Sequence, residues 1–257
     1  MRLSLLAPLD RWLAPAPASE RVAWLRGTIF AHRGLHGPGV PENSLSAARA
    51  ALARGFGIEC DVLRSNDGQA VVFHDDELSR LTAEHGPASE RSAAQLGAIA
   101  LGTSADTIPT LRHLLDIVAG QVPLLIEVKS RRDRRFTALC LAVRRVLEGY
   151  RGPHAVMSFD PRVPRWFAVH SPQTVRGLVV TEEDDKALPG RLRRHLALWH
   201  ARPDFLAYDI RDLPGSFPAA QRRSGLPLVT WTVRTLEHVA RAHEFADAPI
   251  AEGAGLP

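Results

Sequence analysis

Apolar runs of four to seven residues recur along the chain, most followed by a longer stretch with helical periodicity, the βα pattern of a parallel sheet. The runs are 28–32, 57–62, 124–128, 155–159, 175–180, 205–210, 228–233 and 248–251, and a further short strand at 71–74 follows the turn Asn66-Asp67-Gly68. Helical patterns fill the gaps at 44–54, 110–119, 134–150, 161–169, 189–200 and 236–245. Eight βα units in 257 residues predict a (β/α)8 TIM barrel, one domain over 1–257, rather than an open sheet with a second domain. From 75 to 108 the connection is too long for a plain βα loop. Its polar and small residues, with a weak helical stretch at 92–99, predict a small insertion after the second strand. Residues 1–27 read as a lead-in. Arg2 before Leu3–Leu6 and the Ala/Pro alternation at 14–18 imitate a secretory signal, but Asp10 and Arg11 interrupt the apolar stretch, so a short amphipathic segment packed on the domain is the expectation.

Composition narrows the classes. At 45% hydrophobic and 23% charged, disorder and fibrous architectures are excluded. The net charge of +4 comes almost wholly from arginine, Lys129 and Lys186 being the only lysines. The tightest basic run, Arg131, Arg132, Arg134 and Arg135, has no interleaved aromatic residues to stack on bases, so no nucleic-acid partner is expected. No stretch approaches the ~20 apolar residues that span a bilayer. Two cysteines, Cys60 and Cys140, without a CxxC rule out a disulfide scaffold or zinc ribbon and point to a reducing, cytoplasmic setting. The oligomeric state stays open.

Barrel active sites are built at the C-terminal ends of the strands, and four strands here end in polar groups: His32-Arg33-Gly34, Glu59-Cys60-Asp61, His74-Asp75 and Glu127-Val128-Lys129. Alternation along a strand projects Glu59 and Asp61 to one side and Cys60 to the other. Converging there, Glu59, Asp61 and Glu127 make a hard oxygen-rich site suited to Mg2+ or Ca2+ rather than zinc. The same carboxylates read equally well as partners of nearby arginines. His32 and His74 flank them as a candidate acid/base pair, while Arg33 and Lys129 suit a phosphate. In Pro41-Glu42-Asn43-Ser44, Asn43 or Ser44 is placed to cap a helix, which sets Glu42 over the barrel mouth to touch substrate or metal.

Taken in order, His32-Arg33-Gly34, Pro41-Glu42-Asn43-Ser44, Glu59-Cys60-Asp61-Val62, Asp67-Gly68, Val72-Phe73-His74-Asp75 with Leu78, Arg80 and Thr82, Ile108-Pro109-Thr110-Leu111, Glu127-Val128-Lys129 and Trp231-Thr232-Val233 resemble the glycerophosphodiester phosphodiesterase family. The resemblance implies hydrolysis of a glycerophosphodiester to sn-glycerol 3-phosphate and an alcohol, through a cyclic phosphate formed by the neighbouring glycerol hydroxyl. It implies a divalent metal on Glu59, Asp61 and Glu127, acid/base catalysis by His32 and His74, phosphate held by Arg33 and Lys129, and Trp231 against the glycerol. Residue types alone leave water as an equally good nucleophile. Two departures bear on substrate selection: Arg234 stands where the family commonly has asparagine, and Ile250-Ala251-Glu252-Gly253 where a Thr-Asp pair is usual. Two alternatives make different demands. A lysophospholipase D-type enzyme would need an exposed apolar rim at the mouth, and a non-catalytic phosphate-ligand binding protein would lack one of the histidines or carboxylates.

Overall fold

Every apolar run singled out above forms a strand. The computed structural model describes residues 6–130, 136–183 and 186–257. In chain order the elements are helices α1 (Ala7–Leu13) and α2 (Ser19–Val22), strand β1 (Phe30–Ala31), α3 (Leu45–Ala53), β2 (Gly57–Arg64), β3 (Ala70–Val72), α4 (Ala93–Leu96), α5 (Leu111–Val118), β4 (Leu124–Val128), α6 (Phe136–Leu147), β5 (His154–Ser158), α7 (Arg162–His170), β6 (Val175–Val180), α8 (Leu188–Ala201), β7 (Phe205–Asp209), α9 (Ser216–Arg223), β8 (Leu228–Val233), α10 (Leu236–Phe245) and β9 (Ala248–Ala251). Setting aside β3, which runs antiparallel to β2, the remaining eight strands are those of the (β/α)8 class. The chain divides into two compact units, 30–154 and 1–29 with 155–257.

In the 30–154 unit, β2 pairs in parallel with β1 and with β4, and the second register sets Asp61 opposite Glu127. The ladder with β3 ends at Val72. Strand geometry was expected to run on to His74; instead His74 lies just past the paired residues. Ser44 rather than Asn43 caps α3, its hydroxyl accepting the Ala47 N–H at 3.0 Å. The insertion is ordered by burial of its own: Leu78, Leu96, Leu101 and Ile108 pack with Leu63, Val71 and Phe73, and α4 opens on a capping box of Ser92 and Gln95. The arginine run 131–135, and with it the expected start of α6, lies outside the described residues.

In the other unit, β5 to β9 pair in parallel as consecutive neighbours. Gly177 on β6 cannot be replaced without a clash, because an added Cβ would lie 2.3 Å from the Phe205 ring. Helix α9 was not anticipated. Its sequence is short and polar and includes Pro218, which sits in the first turn, where a missing N–H is tolerated.

The lead-in is tied down by one buried charge. Asp10 on α1 is 1% exposed; His195 Nδ1 lies 2.7 Å from its Oδ1, and it accepts Trp199 Nε1–H at 2.8 Å and Gln221 Nε2–H at 2.7 Å. Burial acts to raise its carboxyl, but these hydrogen bonds outweigh it and hold the group below the ordinary aspartate value. A depressed folded-state value means stability present above the unfolded value and lost as pH falls through the folded one. Asp10→Ala should therefore lower the unfolding free energy by about 3 kcal/mol at neutral pH. In urea titrations the gap to wild type should narrow below about pH 4.

Candidate active site

Local sequence brings the first catalytic candidates into place. After β1 the chain turns sharply, Arg33 and Gly34 both adopting left-handed backbone with φ of 55° and 78°. Only glycine fits the second position, since a Cβ there would lie 2.9 Å from the Ala47 backbone of α3. The turn aims the Arg33 backbone N–H at Glu59 Oε2, 3.0 Å away, and leaves His32 Nε2 4.0 Å from the same oxygen. Gly34 is thus explained by the turn and by packing on α3.

On β2 the expected alternation holds, with Glu59 and Asp61 buried at 2% and 1% exposure. With Glu127 from β4 they offer carboxylate oxygens that all lie within 4.8 Å of one another. The cations foreseen for phosphate sit among them. Lys129 Nζ is 2.8 Å from Asp61 Oδ1 and 2.6 Å from Glu127 Oε1, and Arg33 Nε is 3.2 Å from Asp61 Oδ2. The ion-pair reading of the carboxylates is therefore realised alongside their clustering. Burial, and then the charges of Asp61 and Glu127, push the Glu59 carboxyl well above the usual range. Asp61 is held low because Lys129 and Arg33 overcome its burial, and the two carboxylates keep the Lys129 ammonium charged despite burial. Hard oxygen donors at this spacing fit a hard divalent cation, whose charge would relieve the mutual repulsion that raises Glu59.

An outer layer was only partly legible. Asn43, with φ of 56°, donates its amide to Asp61 Oδ2 at 2.9 Å and accepts the Asp61 N–H at 3.2 Å. Glu42 accepts Arg33 Nη1–H at 2.6 Å and Arg80 Nη2–H at 2.7 Å. Asp75 pairs with His74 Nδ1 at 2.6 Å through one oxygen and with Arg80 Nε through the other. Burial keeps the His74 imidazole below its ordinary value, against the pull of Asp61 and Asp75. The adjacency of His74 and Asp75 was a usable signal for that pair. Nothing local in the sequence signals the contacts of Asn43 and Arg80.

Trp231 belongs to the other unit, on β8. Its Nε1–H donates to Ala207 O at 2.9 Å, and its ring meets Phe159 edge-on with centroids 5.4 Å apart. In the same unit the two departures from the family pattern pair with each other, Arg234 Nε lying 2.6 Å from Glu252 Oε1.

Comparison with known proteins gives a consistent result. The family model described as glycerophosphoryl diester phosphodiesterase matches residues 32–250. A Bacillus altitudinis glycerophosphodiester phosphodiesterase is 35% identical over 108 residues, covering 39% of this chain and 44% of the relative; one from Caldanaerobacter subterraneus is 31% identical over 114 residues, 41% and 46%. The chain thus spans less than half the length of the curated relatives it matches. Among solved structures, an Oleispira antarctica phosphodiesterase in complex with the product sn-glycerol-3-phosphate superposes with a TM-score of 0.77 at 23% identity, over 88% of this chain and 93% of that one. A Thermotoga maritima glycerophosphodiester phosphodiesterase gives 0.70 at 23% identity, over 87% and 94%. At this identity the likeness shows the fold.

Asn43 makes two hydrogen bonds in a left-handed backbone conformation that asparagine adopts at lower cost than alanine. Asn43→Ala should cost about 3 kcal/mol and Asn43→Gly about 1 kcal/mol less, measured by equilibrium unfolding in urea.

Proposed function

Because the chain belongs to the glycerophosphoryl diester phosphodiesterase family, we propose that it hydrolyses glycerophosphodiesters to sn-glycerol 3-phosphate and an alcohol. The observation that carries this reading is the cluster of Glu59, Asp61 and Glu127 with two cations and two histidines inside one unit of the chain. Glu59, Asp61 and Glu127 would hold Mg2+ or Ca2+, which when bound neutralises charge growing on the phosphoryl oxygens. Lys129 and Arg33, already facing these carboxylates, would attract the phosphate.

His74 is suited to the role of base. Asp75 on Nδ1 selects the tautomer with its proton there, leaving the Nε2 lone pair available. His74 takes the proton of the neighbouring glycerol hydroxyl as that oxygen attacks phosphorus. His32 delivers a proton to the departing alcohol, giving a cyclic phosphate; the two histidines then exchange roles as water opens the ring. Trp231, with Phe159 behind it, would pack on the glycerol.

Deacylated substrates are favoured over lysophospholipids, since the insertion, 75–108, carries no long apolar run and its large hydrophobic side chains are not exposed. A binding protein without catalysis is disfavoured by the presence of every acid/base and carboxylate residue. Only two cysteines, both buried and without a CxxC, support a reducing compartment such as the cytoplasm. No helix among the described residues is long and apolar enough to cross a membrane.

Glycerol 3-phosphate release from glycerophosphocholine or glycerophosphoethanolamine should require Mg2+ or Ca2+, stop with EDTA, and fall about 10²- to 10⁴-fold in His74→Ala. No release with either substrate in either metal would defeat the reading. Since burial lowers the His74 value, its neutral form persists to lower pH than that of a free imidazole. The acid limb of kcat/KM should therefore fall below about pH 6.5.

A further inference from the structure

Arg80 lies in the insertion with its side chain 46% exposed, yet all three of its guanidinium nitrogens have carboxylate partners. Nε meets Asp75 Oδ2, while Nη2 and Nη1 reach the two oxygens of Glu42 at 2.7 and 3.2 Å. Glu42 in turn binds Arg33, which faces Asp61, and the free oxygen of Asp75 holds His74 Nδ1. Asp61, Arg33, Glu42, Arg80, Asp75 and His74 thus form one unbroken line of side chains in which charge alternates as far as Asp75.

We propose that Arg80 is a positioning residue for His74: by clamping the Asp75 carboxylate and tying it to Glu42 and Arg33, it fixes the direction in which the imidazole presents Nε2. The inference rests on the reading of His74 as the base. A carboxylate on a single bond can rotate, and one that is part-exposed, as Asp75 is, can be solvated in several orientations. A planar guanidinium spanning two carboxylates removes that freedom, which a lysine point charge cannot do. The hydrogen-bonded partner of an imidazole sets both its tautomer and its orientation, so the residue that holds this partner acts on the ring at one remove.

Arg80 also offsets the charge of Asp75. The charged groups acting on His74 are Asp61 and Asp75, which favour the imidazolium, and Lys129 and Arg33, which oppose it. Removing Arg80 leaves all four in place and exposes His74 to the full Asp75 charge, so the imidazole should titrate higher. Asp75→Asn removes one attracting charge, so the ring should titrate lower. Were Arg80 only a brace for the insertion, its removal would leave the His74 titration as in wild type.

The test uses the full chain as wild type, Arg80→Ala, Arg80→Gln, Arg80→Lys and Asp75→Asn, with folding verified by circular dichroism and melting temperature. Imidazole NMR titration, with His74 assigned by comparison with His74→Gln, should show an upward move of about half a unit in Arg80→Ala or Arg80→Gln and a downward move in Asp75→Asn. With glycerophosphocholine, kcat should fall about 10- to 100-fold in Arg80→Ala at nearly unchanged KM, the acid limb following the NMR shift, and Arg80→Lys should recover part of the loss. His74 titrating as in wild type in both folded neutral variants, or an unchanged kcat, would overturn the proposal. Absence of turnover in wild type would instead sink the reading of His74 as base, and the NMR titration would still decide whether Arg80 governs the ring.

Discussion

Three carboxylates whose oxygens lie within 4.8 Å of one another, all buried, cannot share charge at neutral pH without counter-ions close at hand. Much of the 30–154 unit answers that constraint. Lys129 and Arg33 sit against the cluster; behind Arg33 stands Glu42, and behind Glu42 stands Arg80. Arg33, brought in to quiet Asp61, is itself largely buried and draws in Glu42, which draws in Arg80. His74 is reached at the far end of this alternation. Acid/base chemistry and charge compensation are therefore built from the same side chains.

Backbone geometry supplies the precision. Parallel pairing of β2 with β4 puts Asp61 opposite Glu127 in a fixed register, and strand alternation brings Glu59 to the same side. The left-handed turn at Arg33 and Gly34 serves both the peptide N–H and the guanidinium of one residue to two different carboxylates. Asn43 grips Asp61 by side chain and backbone at once. None of these devices depends on a long flexible side chain finding its place unaided.

The parts legible in sequence are those with a short-range signature. Period-two alternation exposed the Glu59 and Asp61 pair, apolar runs marked all the strands, and the end of each run marked where polar groups would gather. The insertion was visible as an overlong connection, but its own core was not, because Leu78, Leu96, Leu101 and Ile108 follow no single period. Helix α9 escaped because Ser216–Arg223 carries few apolar positions and a proline that ordinarily argues against helix. Glu42 and Arg80, 38 residues apart, meet only through the fold. The dual part of Lys129 was hidden for another reason: its residue type suits a phosphate and a carboxylate equally, and sequence does not say which is nearer.

Arg234 and Glu252 each depart from the family pattern, and they face each other as an ion pair. With the asparagine and aspartate usual in the family, the same two positions would carry one net negative charge; with Arg234 and Glu252 the charges cancel. Replacing Arg234 by asparagine would restore that negative charge, so whatever the exchange costs is electrostatic and fades as salt screens it.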